Sequence, residues 1–213
     1  MGDPHAGPRL MAGLFEEIPG GGVAVALDEV EISILRSLAV QLLELVGPGD
    51  QPAAGEDPLA ALFAEGPSEA PSDPALARLF PDAYGDPQAD PEDAHERAVR
   101  ANSAEFRRFT ENDLRERKRE DALAVVRSLD ALVTGGGSGA VLKLADDECR
   151  RWLGTLNDLR LTIGTRLEVT DDDDAAENGE LYRLPDSDPR KPMVMAYLWL
   201  GALQESLVET LMP

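Results

Sequence analysis

Residues 152–167, WLGTLNDLRLTIGTRL, decide how the chain is built. Trp152, Leu156, Leu159, Ile163 and Leu167, with Leu153 beside them, recur at helical spacing, and Cys149 continues the stripe one turn upstream. Three charges stand on this otherwise apolar helix: Asp158, Arg160 and Arg166. None has an opposite charge three or four residues away, so none is neutralised along its own helix. Their partners must lie on other segments of the fold or outside it. The reading predicts Arg160 or Arg166 against Glu205 or Glu44, with Asn157 and Gln204 bonding nearby backbone or one another. Asn157, Asp158, Arg160, Arg166, Gln204 and Glu205 thus form a candidate network, either holding the fold or meeting a partner.

The stretch from Glu105 to Asp121 treats charge in the opposite way. Glu111 with Arg115, Asp113 with Arg117, and Glu116 with Arg119 sit at pairing distance along one helix. Within FRRFTENDLRERKRE (106–120), Arg107, Arg108, Arg115, Lys118 and Arg119 are interleaved with Phe106 and Phe109 and make a candidate basic surface. The whole chain carries a net charge of −21, a field that repels nucleic acid and anionic membranes. Residues 97–127 alone are +3, which leaves −24 on the remainder. A salt-bridged solvent face is the simpler reading of this helix, and docking on nucleic acid through 105–121 is the alternative.

Around these two stretches the pattern predicts a mainly α fold. It is a bundle of about four main helices with a short N-terminal β-hairpin and a Pro-rich acidic insertion. A loose tail covers 1–13, and a single helical domain covers 14–213, interrupted by flexible segments at 48–91 and 134–144 and an acidic loop at 170–187. The hairpin comes from LFEEI and GVAVAL around Pro19, where Val23, Val25 and Leu27 alternate. Asp28 and Glu31 then offer a capping box to a helix whose apolar residues cover most of its circumference, which places it at the centre of the bundle. Between Pro48 and Glu96 lie nine of the sixteen prolines and twelve acidic residues against a single arginine, Arg78. Two near copies interrupt this linker chemistry, DPLAALF at 57–63 and DPALARLF at 73–80. Either the second docks on the core and the first is a lineage insertion, or both are short linear motifs for a partner groove.

A long helix is predicted from about 92 to 133, with a break near Asn102 and Ser103, and a stripe of Phe106, Phe109, Leu114, Leu123, Val126, Leu129, Leu132 and Val133. The GGGSG run at 135–139 ends it. The last helix opens near Asp188 or at Pro192, with Tyr197, Gly201 and Gln204 forming a second ridge beside its leucines. Gly154, Gly164 and Gly201 inside the final helices imply close helix crossings.

Reactive chemistry is thin. His5 and His95 have no serine or cysteine partner, and zinc lacks ligands. The run Asp171–Asp174 fails the calcium-loop register, since a start at Asp174 puts Pro185 where a glutamate is required. Neither glycine run supplies a phosphate loop. No cofactor is expected, and the chain is read as not an enzyme. Cys149 is the only cysteine, which fits a reducing, cytoplasmic setting and a buried thiol. The longest apolar run near the end, 193–203, is too short to span a bilayer, and residues 1–15 carry no leader pattern.

Several stretches together resemble an actinobacterial family classed as a domain of unknown function and commonly encoded beside the Clp protease adaptor ClpS. They are GGVAVALDEVEISILRSLAVQLLEL, DPALARLFPDAY, EFRRFTENDLRERK, WLGTLNDLRLTIGTRL and YLWLGALQESLVETL. That family has no catalytic residues to carry over. The resemblance implies a partner that is another protein and a setting in protein quality control or regulated proteolysis. The tail before Leu14 and the extra DPLAALF copy depart from it.

Overall fold

The computed structural model describes residues 13–47, 66–85, 90, 92–133, 139–170 and 183–212. The first Asp-Pro copy, most of the N-terminal tail, residues 134–138 and the run Asp171–Asp174 lie outside these. Strands β1 (Glu16–Glu17) and β2 (Val23–Asp28) form the hairpin. Helix α1 (Glu29–Val46) follows directly, then the short α2 (Pro74–Leu79) and the long α3 (Ala94–Val133). Strand β3 (Gly139–Leu144), α4 (Asp146–Arg166) and α5 (Lys191–Leu211) complete the described chain.

The fold is mainly α, with a small antiparallel sheet in the order β1-β2-β3. Val23 pairs with Leu144 and Val25 with Leu142, so β3 covers the free edge of the hairpin. Residues 139–144, read from sequence as the end of a flexible connector, are therefore structural. Their Leu142 and Leu144 alternate inward on a six-residue strand too short and too close to a glycine run to stand out. Gly22, at φ +83°, lies so close to the Leu144 carbonyl oxygen that any side chain there would collide with it.

The capping box of α1 forms as its sequence implies: the Glu31 amide donates to Asp28 Oδ1 and the Asp28 amide to Glu31 Oε2, both at 2.8 Å. Yet α1 is not the centre of the bundle. It buries only Ile32, Leu35, Ala39, Leu42 and Val46, and leaves Val30 and Ile34 exposed. The centre is α4, which packs on α1, α2, α3, α5 and β3. Its buried face holds Cys149, Trp152, Leu156, Leu159 and Ile163, and Trp152 meets the Phe15 ring edge-on at 6.1 Å.

Helix α3 runs unbroken through Asn102 and Ser103. Ser103 is buried there because its hydroxyl accepts from the Ala83 amide at 3.0 Å, tying the chain after α2 to the helix. At 40 residues α3 is about 60 Å long and outruns the core. Its buried apolar residues are Ala122, Val125 and Leu129, whereas Phe106 and Phe109, expected in the stripe, are 46% and 62% exposed.

Candidate functional site

The charges of α4 reach three different neighbours. Asp158, buried on the face toward α3, accepts from Lys118 Nζ at 2.6 Å. Arg160 points to α5: its Nη1 donates to Gln204 Oε1 at 3.1 Å, its Nη2 to the Tyr197 hydroxyl at 3.4 Å, and its guanidinium lies 5.1 Å from the Tyr197 ring centre. Arg166 pairs at 3.1 Å with Asp73, the residue that caps α2. Neither arginine meets the partners expected from sequence. Glu205 and Glu44 both face solvent, one position off the contact ridges of α5 and α1. Asn157 is exposed at the cavity beside Arg160, and Gln204 serves Arg160.

The glycines make this clasp possible. A side chain at Gly164 would press on the Tyr197 ring at 3.2 Å, and one at Gly201 would touch the Arg160 guanidinium at 3.5 Å. Each glycine thus lets a large polar group lie flat between α4 and α5. A cavity of about 150 Å³ remains beside them, lined in part by Arg78, Asn157, Arg160 and Tyr197.

Helix α3 turns its cations inward as well. Arg107 is 4% exposed: its Nη1 donates to Glu111 Oε2, and its Nη2 to the Phe80 carbonyl at 2.9 Å and Asp82 at 2.8 Å. Glu111 also accepts from Arg115 at 2.6 Å, so one buried carboxylate sits between two guanidiniums. Arg115 lies 4.3 Å from the Phe80 ring centre and donates to the Val46 carbonyl at 2.7 Å. Arg119 donates to the carbonyls of Leu43 and Gly47. Helix α1 has no basic residue in its own last turn, and these two arginines supply what its orphan carbonyls and negative dipole end lack. Arg108 stacks against Phe109 at 5.4 Å. Of the five residues read as a basic surface, Arg107, Arg115, Lys118 and Arg119 are engaged inside the fold.

Burial is the largest influence on Asp158 and raises its pKa above the usual 3.8, against the lowering effect of Lys118. Burial raises Asp121 too, with Arg151 and Arg117 opposing it and the Asp158 charge adding to the rise. Burial would lower the Arg107 pKa, but Asp82 and Glu111 together hold it above its ordinary value. The Cys149 thiol is pushed up by burial and then by Asp146, which keeps it protonated and unreactive. Among the described residues no group of three His, Cys, Asp or Glu could hold a metal ion, and no helix is long and apolar enough to cross a membrane.

Residues missed from sequence are those that receive these charges, Asp73, Asp82 and the carbonyls of Phe80 and the α1 terminus, and Ser103, which accepts from the Ala83 amide. Tyr197 and Gln204 were visible as a second ridge on α5, without their partner.

Fold and site together define a mainly α protein organised around one central helix whose charges are clasped by its neighbours. The chain belongs to the family described as a domain of unknown function, DUF2017, whose pattern matches residues 12–211. It is 31% identical over 186 residues to the oxidative stress regulator AosR of Mycobacterium bovis, covering 85% of this chain and 78% of that protein. The oxidative stress regulator AosR of Mycobacterium tuberculosis shows the same identity and coverage. No solved structure matches.

Proposed function

We propose that this chain is a noncatalytic regulatory protein that works by binding another protein in the cytoplasm, within the response to oxidative stress. The observation that carries the reading is the inward use of charge. The cations from Arg107 to Arg119 that would have to meet phosphates on a duplex are largely committed to Glu111, Asp82, Asp158 and the α1 carbonyls. Counterion release, the main source of affinity for nucleic acid, would then have to come at the cost of the fold. The names of the mycobacterial relatives support a regulatory role, and the family resemblance points to Clp-type proteolysis as the pathway. Cys149 has no part in it, because a buried, protonated thiol is a poor oxidant sensor and a lone cysteine cannot close an intramolecular disulfide.

The test uses the full chain in two assays. Photo-crosslinking in the host, with and without peroxide, is expected to yield one protein adduct in defined stoichiometry whose amount changes with peroxide. Titration with a random DNA duplex at low salt is expected to give no change in anisotropy. A steeply salt-dependent rise in anisotropy, or the lack of any protein adduct, would contradict the proposal.

A further inference from the structure

Helix α2 is seated like a ligand. It is six residues long, and the chain on either side of it is irregular. Leu79 and Phe80 fill a groove between α3 and α4, each 2% exposed. Arg115 stacks on the Phe80 ring, Arg107 donates to the Phe80 carbonyl, and Arg107 also pairs with Asp82 two residues on. The groove therefore reads a pattern: Leu76, Ala77, Leu79, Phe80 and an acid at position 82.

Residues 59–65 repeat that pattern in register, as Leu-Ala-Ala-Leu-Phe-Ala-Glu against Leu-Ala-Arg-Leu-Phe-Pro-Asp at 76–82. The two copies differ in kind only at Ala61 for Arg78 and Ala64 for Pro81. Both Arg78 and Pro81 face solvent in the seated copy, whereas the buried and half-buried positions 76, 77, 79 and 80 are kept. Glu65 preserves the carboxylate that Asp82 offers to Arg107.

We propose that this groove is a receptor for the Leu-Ala-x-Leu-Phe-x-acid pattern and that residues 59–65 of the same chain are its second ligand. The tether favours it. The Gly66 amide, immediately after the copy, donates to the Arg108 carbonyl at 2.8 Å, one residue along α3 from the groove's Arg107. Such an anchor gives the copy a local concentration on the order of millimolar. It is the weaker ligand. In register, Pro58 falls at Ala75, whose amide donates to Asp73 Oδ1 at 2.9 Å and which is 1% exposed. Proline has no proton to donate there, and its ring needs room that alanine does not. The resident copy therefore holds the groove until it is weakened or drawn away. This inference does not depend on the regulatory reading.

A thermal-melt cycle on the full chain tests it. Phe63→Ser alone is expected to leave Tm within about 1 °C, and Phe80→Ala to lower it. The double variant is expected to fall several degrees below the sum of the two, because the reserve ligand is then lost as well. Additive shifts would overturn the proposal. So would a Tm of the Phe80→Ala chain that rises with protein concentration, since the groove would then be filled by a second copy. If Phe80→Ala does not fold, Phe80→Leu carries the same cycle. A synthetic peptide of residues 55–66 added to the Phe63→Ser chain carrying Phe80→Leu should raise its Tm, and a scrambled peptide should not. Equal effects of both peptides would also overturn it.

Discussion

Helices α3 and α4 put charge to use in different surroundings. In α4 the charges are few, stand on an apolar helix, and each grips a separate neighbour: Lys118 on α3, Gln204 and Tyr197 on α5, and Asp73 at the start of α2. In α3 they are dense and locally pairable, yet Arg107 and Arg115 donate to backbone carbonyls of other elements besides Glu111, and Arg119 donates to the carbonyls of Leu43 and Gly47. A buried guanidinium has five N–H groups to satisfy, and one carboxylate cannot take them all. Charge that looks solvated in a helical repeat becomes a fastening when an element with open carbonyls ends beside it.

The largest effect expected from breaking this contrast is at Glu111. Glu111 is 3% exposed between two guanidiniums, so Glu111→Ala leaves Arg115 without a carboxylate and Arg107 with only the half-exposed Asp82, and should cost about 3 kcal/mol in denaturant unfolding. A loss under about 1 kcal/mol would mean that the strip is solvated after all. On α4, Gly164→Ala forces a methyl against the Tyr197 ring, which Arg160 pins from its other contacts. A loss of about 1 to 2 kcal/mol is expected despite the better helix propensity of alanine. Gly201→Ala meets the Arg160 guanidinium only at ordinary contact distance and should stabilise by up to about 1 kcal/mol. Opposite signs at the two glycines would sharpen the account of the crossing; equal signs would refute it.

The effect of pH is smaller and has an unusual direction. Because burial holds the Asp158 carboxyl above 3.8, the folded chain binds that proton more tightly than the unfolded chain. Between 3.8 and the raised folded value, the contribution of this group to stability therefore increases as pH falls. Melting temperatures of the parent minus those of Asp158→Asn should move in favour of the parent as pH drops through that window. A difference that moves the other way would show that the Lys118 pairing outweighs burial. Smallest of all is Arg166→Ala, whose pair with Asp73 is half exposed and should leave Tm unchanged within error.

Much of the fold was legible because helix ends and apolar stripes are local properties. Asp28 with Glu31 fixed the start of α1, the acidic cluster at Asp146 opened α4, and Pro192 stands in the first turn of α5. The centre of the bundle was harder to read. Apolar richness favoured α1, but burial depends on which neighbours surround a helix, and α4 packs on every other described helix and on β3 while being less hydrophobic. Phe106 and Phe109 failed as core residues because at their level the buried face of α3 carries Ser103, Arg107 and Glu111, and nothing along one helix reveals which face its neighbours cover. That Asp158, Arg160 and Arg166 needed partners elsewhere was readable from spacing; which partners depended on the rotation of α5 and on the return of residues 73–82 to α3.

The central claim is that the lone charges of α4 are satisfied by the protein itself. A double-mutant cycle on Lys118 and Asp158 tests it most directly, through denaturant unfolding of Lys118→Met, Asp158→Leu and the pair. Each single change should be clearly destabilising, because it strands the other group, and the double variant should recover at least about 1.5 kcal/mol relative to their sum. Additivity within about 0.5 kcal/mol would show that the two charges do not serve one another, and would contradict the account.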